Sequence, residues 1–152
     1  MTEIKTALTI GGSDPSGCGG IQGDIKVFSS YGVYGMSVIT AVTSQNSSGV
    51  SGIAEAPASL VAEQFQSVYD DIKIDSLKIG MLSSSDNLTM VSQILGELNL
   101  KNIVLDPVFL SSDGTPLLDA DAIKTMVELL LPLVEIITPN LDEASKLAGM
   151  NV

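Results

Sequence analysis

With no histidine and a single cysteine, Cys18, the chain must rest any chemistry on carboxylates, side-chain amides, hydroxyls and backbone dipoles. A Ser-His-Asp triad, a Cys-His pair and an HExxH zinc helix are excluded. Cys18 has no basic neighbour in sequence to activate it and reads as a small loop residue. The best-placed carboxylate is Asp106 in Leu105-Asp106-Pro107-Val108, where an acidic group ends a short apolar run. A turn role is the simpler alternative for it. Gln45, in Thr43-Ser44-Gln45-Asn46-Ser47-Ser48-Gly49, offers an amide that both donates and accepts, which suits the edge of a heterocycle. A plain polar turn explains that stretch equally well. Met81 follows Gly80 in Leu77-Lys-Ile-Gly-Met-Leu82, and a thioether there is more often core filler than a ligand wall. Asn140 and Glu143 lie in Thr138-Pro-Asn-Leu-Asp-Glu-Ala144. Thr138 as helix cap with acidic residues in the first turn is the favoured reading, and a place beside a metal-bound phosphate is the functional one.

The opening stretch GGSDPSGCGG, residues 11–20, follows an apolar run and precedes a helical pattern. It matches neither common phosphate loop. Gly12 to Gly17 has P-loop spacing, but Cys18-Gly19 stands where Lys-Ser/Thr is required. Gly17-Cys-Gly19-Gly-Ile-Gln22 lacks the last glycine of G-x-G-x-x-G. Glycines beside a helix start still let a ligand approach the backbone, and a tight strand-to-helix turn is the plainer account.

These residues need elements to hold them. Strand-like runs at Ala7–Ile10, Ser37–Val42, Gly49–Ala54, Leu77–Gly80, Ile103–Leu105 and Val134–Ile137 alternate with helix-period segments at Ile21–Tyr31, Ala58–Ile72, Ser84–Leu98, Ala120–Leu131 and Pro139–Ala148. Asp119 is expected to cap the fourth helix, and Gly149 to end the last. Such alternation specifies βαβ units: a three-layer α/β/α fold with a mostly parallel sheet. Ligands of such sheets bind outside the carboxyl ends of the strands. The loops at 11–20, 43–48, 80–82, 106–114 and 138–143 are therefore expected on one edge.

A length of 152 residues fits one domain, 1–152. At 45% hydrophobic and 16% charged the chain is globular rather than disordered. A formal charge of −11 argues against nucleic acid and anionic membranes as partners, but not against a small phosphorylated ligand held by backbone N–H groups. No signal peptide or bilayer-length apolar segment is visible, and one cysteine excludes an internal disulfide, so a cytoplasmic setting is expected.

Taken together, GGSDPSGCGGIQGDIKVF, YGVYGMSVITAVTSQNSSGV, LKIGML, VLDPV and ITPNLDEASKLAG resemble, in order and spacing, the hydroxymethylpyrimidine/phosphomethylpyrimidine kinases of thiamine biosynthesis, members of the ribokinase-like superfamily. The resemblance implies ATP-dependent phosphorylation, with Mg2+, of 4-amino-5-hydroxymethyl-2-methylpyrimidine and then of its monophosphate. It implies that Gln45 pairs with the aminopyrimidine edge and that Gly12, Gly19, Met81 and Val108 wall the pocket. Asp106, Asn140 and Glu143 would stand near magnesium and the phosphates. Asp14 belongs to the loop signature, and capping its own turn is reason enough for it. Cys18-Gly19 and the bulky run Phe109–Gly114 depart from the family's usual residues. The family extends roughly another hundred residues, as single α/β domains of 200–250 residues do. That part carries the glycine-rich anion hole, the catalytic residue and most of the adenine site. The 152 residues are thus expected to bind the pyrimidine without transferring phosphate at a useful rate, and to associate through an exposed sheet edge, a homodimer being one such form. A pyridoxal-type kinase of the same superfamily and a non-catalytic pyrimidine-binding module are the alternatives.

Overall fold

The computed structural model describes residues 4–110, 117–118 and 120–151. The chain runs β1 (Thr6–Ser13), α1 (Gly20–Ser30), β2 (Tyr34–Asn46), β3 (Gly49–Glu55), α2 (Ala58–Tyr69), β4 (Ser76–Ile79), α3 (Ser85–Glu97), β5 (Ile103–Leu105), α4 (Ala120–Thr125), β6 (Ile136–Ile137) and α5 (Leu141–Ala148). Six strands form one sheet in the order β3-β2-β1-β4-β5-β6. All neighbours are parallel except β2 and β3. This is the three-layer architecture that the alternation of elements specifies.

Period-two alternation sorts the strand residues onto two faces. Leu8, Ile10, Val38, Leu77, Ile79, Ile103 and Leu105 belong to one buried cluster. Val61 and Phe65 of α2 and Leu88, Val91 and Leu95 of α3 join it, each on the apolar stripe its helix period predicts, as do Ala122, Met126 and Leu130 of the fourth helix. On the other face α1 packs on β1 and β2. Gly35 lets α1 pack closely there: a Cβ would fall 2.9 Å from the tip of the Ile25 side chain and 3.1 Å from the Phe28 ring.

Several boundaries differ from the sequence pattern. β1 continues through Gly11 and Gly12 to Ser13, because β2 is long enough to pair with it, with a register shift between Gly11 and Gly12. The fourth helix is α-helical only to Thr125. It widens into a π turn at Met126–Leu130 and tightens to 3-10 at Leu131–Leu133, where Pro132 has no N–H to continue the ladder. Thr138 is not the cap of α5. Its N–H donates to the Leu105 carbonyl at 3.0 Å, which keeps it in the sheet, and Asn140 caps the helix instead. Asp119, expected as a cap, and residues 111–114 of the fourth loop lie outside the described residues. Among the described residues no helix is long and apolar enough to cross a membrane.

Candidate active site at the carboxyl edge of the sheet

β4 and β5 end level with one another, and β1 runs past them to Ser13. Ile10 pairs with Ile79, and Ile79 with Leu105. Each strand's next residue continues the ladder: Gly80 N–H donates to Ile10 at 2.8 Å, and Asp106 N–H to Ile79 at 2.8 Å. Beside them the β2–β3 ribbon projects past β1. β2 pairs with β1 through Val42 and with β3 from Ala41 to Asn46. Between these ends opens a cavity of about 190 Å³. Gly12, Gln45, Met81, Asp106 and Val108 line it, together with Asp24, Thr43, Lys78 and the flanking Gly11, Gly20, Gly80, Leu110 and Leu117.

Gln45 stands on the ribbon, where its Oε1 lies 3.2 Å from the Thr43 hydroxyl. That hydroxyl is also 3.0 Å from the Ser13 carbonyl, which ties the ribbon to the end of β1. Gly12 faces Met81 so closely that a Cβ would collide with the methionine methyl group. The Met81 carbonyl in turn accepts from Thr40 at 2.6 Å, so the wall is fixed from two sides.

The floor of the cavity is ionic. Leu77 and Ile79 face the main core, so Lys78 between them faces the α1 side, as Thr9 does between Leu8 and Ile10. Asp24 of α1 meets both: its Oδ2 accepts from Thr9 Oγ1 at 2.6 Å and from Lys78 Nζ at 3.0 Å. Lys78 Nζ is also 3.7 Å from Asp106 Oδ2. A lysine in a central strand carries a desolvation cost, and two carboxylates offset it. Burial pushes the Asp106 carboxyl above its usual range; the neighbouring Asp24 charge adds to this and Lys78 opposes it. Gly80 leaves room for the ammonium, since a Cβ there would fall 2.8 Å from Nζ.

The opening loop is a different kind of structure. Asp14 as a residue is 2% exposed, and its carboxylate accepts from Ser16 N–H at 2.8 Å, Ser16 Oγ at 2.9 Å and Gly19 N–H at 2.9 Å. Burial alone would raise its pKa; the hydrogen bonds from the Ser16 hydroxyl, Gly19 N–H and Ser16 N–H outweigh it and hold the carboxyl below the usual range. The backbone donors that a phosphate loop would aim at an anion are thus aimed at the chain's own carboxylate. Gly20 must be glycine: its φ is +56°, and a Cβ would collide with the Gly12 carbonyl oxygen. Lys26 Nζ donates to the Gly17 carbonyl at 2.7 Å and anchors the far side of the loop.

Of the residues singled out in the sequence, Gly12, Gln45, Met81, Asp106 and Val108 meet around the cavity, and Gly19, Asn140 and Glu143 do not line it. The Gly19 N–H is engaged by Asp14. Asn140 and Glu143 form a capping box: Glu143 N–H donates to Asn140 Oδ1 at 2.8 Å, and Asn140 N–H donates to Glu143 Oε2 at 2.8 Å. Pattern reading did not single out Asp24, and it found no motif that points Lys78 or Lys101 at a phosphate, yet Asp24 and Lys78 line the cavity. One signal was present: a lysine between two apolar residues of a short buried strand needs an anionic partner. Among the described residues no three Asp, Glu, His or Cys side chains converge as metal ligands.

A mostly parallel sheet with a cavity at its carboxyl edge, bordered by a β-ribbon and lined by two carboxylates, has the ribokinase-like α/β fold of the phosphomethylpyrimidine kinase and pyridoxal kinase structures. The family profile described as phosphomethylpyrimidine kinase matches residues 14–152, and the chain belongs to that family. It is 49% identical over 141 residues to the hydroxymethylpyrimidine/phosphomethylpyrimidine kinase of Salmonella typhimurium, covering 93% of this chain and 53% of that protein. Its fold superposes on the phosphomethylpyrimidine kinase of Clostridium difficile with a TM-score of 0.91 at 42% identity, covering 97% of this chain and 64% of that one. The pyridoxal kinase of Staphylococcus aureus in complex with pyridoxal is similar at a TM-score of 0.86 and 30% identity, over 99% of this chain and 54% of that one. The chain spans about half the length of curated relatives such as these.

Proposed function

We propose that this chain forms the acceptor-binding part of an ATP-dependent kinase that phosphorylates 4-amino-5-hydroxymethyl-2-methylpyrimidine and then its monophosphate, in thiamine biosynthesis. The carrying observation is the placement of Gln45. Gln45 lines the cavity that Asp24, Lys78 and Asp106 also line, and its Nε2 has no partner among the described residues. An amide donor and acceptor side by side match the amino and ring-nitrogen edge of an aminopyrimidine. Gly12, Met81 and Val108 supply the walls against which the ring packs.

ATP is the co-substrate that a kinase requires. Magnesium, when bound, neutralises charge on the transferring phosphates. Asp106 is the described carboxylate that suits it: a hard oxygen donor, 40% exposed, at the cavity edge. The exposed free thiol of Cys18 accords with a reducing compartment, and we assign the protein to the cytoplasm on that ground.

The reading is tested by calorimetric titration with hydroxymethylpyrimidine, alone and against pyridoxal. Hydroxymethylpyrimidine binds, and equimolar pyridoxal does not displace it. Displacement by pyridoxal would favour a pyridoxal kinase, and no binding of either would reject the acceptor site.

A further inference from the structure

Resting on that reading, we propose that Lys78 receives the phosphate group of the phosphorylated acceptor, so that one cavity takes both a neutral alcohol and its phosphate monoester. The problem is one of charge. Asp24 and Asp106 both border the cavity, so a dianion entering it meets two carboxylates. Lys78 is the one cationic side chain that lines the cavity among the described residues.

Its ammonium has capacity to spare. An ammonium carries three donors. Asp24 engages one at 3.0 Å, whereas Asp106, at 3.7 Å, is beyond hydrogen-bond reach. Asp24 does not depend on Lys78 alone, because the buried Thr9 hydroxyl donates to the same oxygen at 2.6 Å. The ammonium can turn toward a phosphate while Asp24 keeps a partner. Gly80 keeps the approach open, since a Cβ would stand 2.8 Å from Nζ. The lysine is also held in place along its backbone, in a strand paired on both sides. A lysine serving only to compensate two aspartates would need neither the open space nor the second partner on Asp24.

The experiment titrates the parent chain, Lys78→Met, Lys78→Arg and Gly80→Ala with hydroxymethylpyrimidine and with its monophosphate, at low and raised salt. In Lys78→Met the affinity for the monophosphate falls roughly ten- to a hundred-fold relative to that for the alcohol, the range expected for one charge-assisted contact. Lys78→Arg restores most of that ratio. Gly80→Ala, which keeps the charge and crowds the ammonium, lowers the ratio more mildly. In the parent, added salt weakens monophosphate binding and leaves alcohol binding nearly unchanged. Equal losses for both ligands in Lys78→Met, or salt-insensitive monophosphate binding by the parent, would overturn the assignment of Lys78 alone. A parent chain that binds neither ligand rejects the acceptor site itself, and with it this inference.

Discussion

Asp14 and Asp106 are aspartates at the same edge of one sheet, in opposite surroundings. Asp14 is enclosed, and its carboxylate accepts from three donors between Ser16 and Gly19. Asp106 is 40% exposed, faces a cavity, and shares one lysine with Asp24. The hydrogen bonds hold the first carboxyl low, whereas burial pushes the second up. A carboxylate in a glycine-rich loop can therefore be a ligand for its own backbone, while one left under-satisfied at a strand end is available to a bound molecule. Glu143 belongs with Asp14: its carboxylate closes a capping box.

The comparison can be broken most forcefully at Asp14. Asp14→Ala leaves two backbone N–H groups without their acceptor, at about 1–3 kcal/mol for each one that stays buried. A loss of roughly 2–4 kcal/mol in urea denaturation is expected, and an unchanged midpoint would show that the loop does not need its carboxylate. Gln45→Ala tests the open side. An unmet buried polar group costs about 1–3 kcal/mol, so hydroxymethylpyrimidine binding should weaken roughly ten- to a hundred-fold while the denaturation midpoint holds. Equal affinity in calorimetry would place the ring elsewhere. Asn140→Ala sharpens the assignment of Glu143 to the enclosed class. Loss of the cap costs about 1 kcal/mol of stability; a large fall in ligand affinity without loss of stability would instead favour a phosphate-side role for the pair.

The smallest effect is on pH dependence. The folded pKa of Asp14 lies below its unfolded value, so the group binds fewer protons when folded. Its stabilisation is complete above the unfolded value, near 3.9, and is lost as pH falls through the lower folded value. Acid unfolding of the parent should therefore be steeper in this window than that of Asp14→Asn. Parallel curves would show that the loop's hydrogen bonds do not favour the ionised form.

Legibility in the sequence followed the range of each interaction. The helix stripes of α2 and α3 were readable because their period is local, and so was the turn-capping role of Asp14, whose partners lie within five residues. Thr138 was misread as a cap because its hydrogen bond goes across the sheet to Leu105. The extension of β1 to Ser13 escaped the pattern for the same reason: glycines read as a turn until β2 supplies their partners.

The sequence by itself determined the alternation of strands and helices, the parallel sheet that follows from it, and the edge on which Gly12, Gln45, Met81, Asp106 and Val108 meet. These depend on hydrophobic period and on the short, right-handed connections of βαβ units. Only the tertiary structure decided that Asp24 and Lys78, 54 residues apart, share a hydrogen bond beneath that edge. Their meeting needs β4 to insert beside β1 and α1 to lie on the matching face, and pairing between distant strands is written in no local window of the chain.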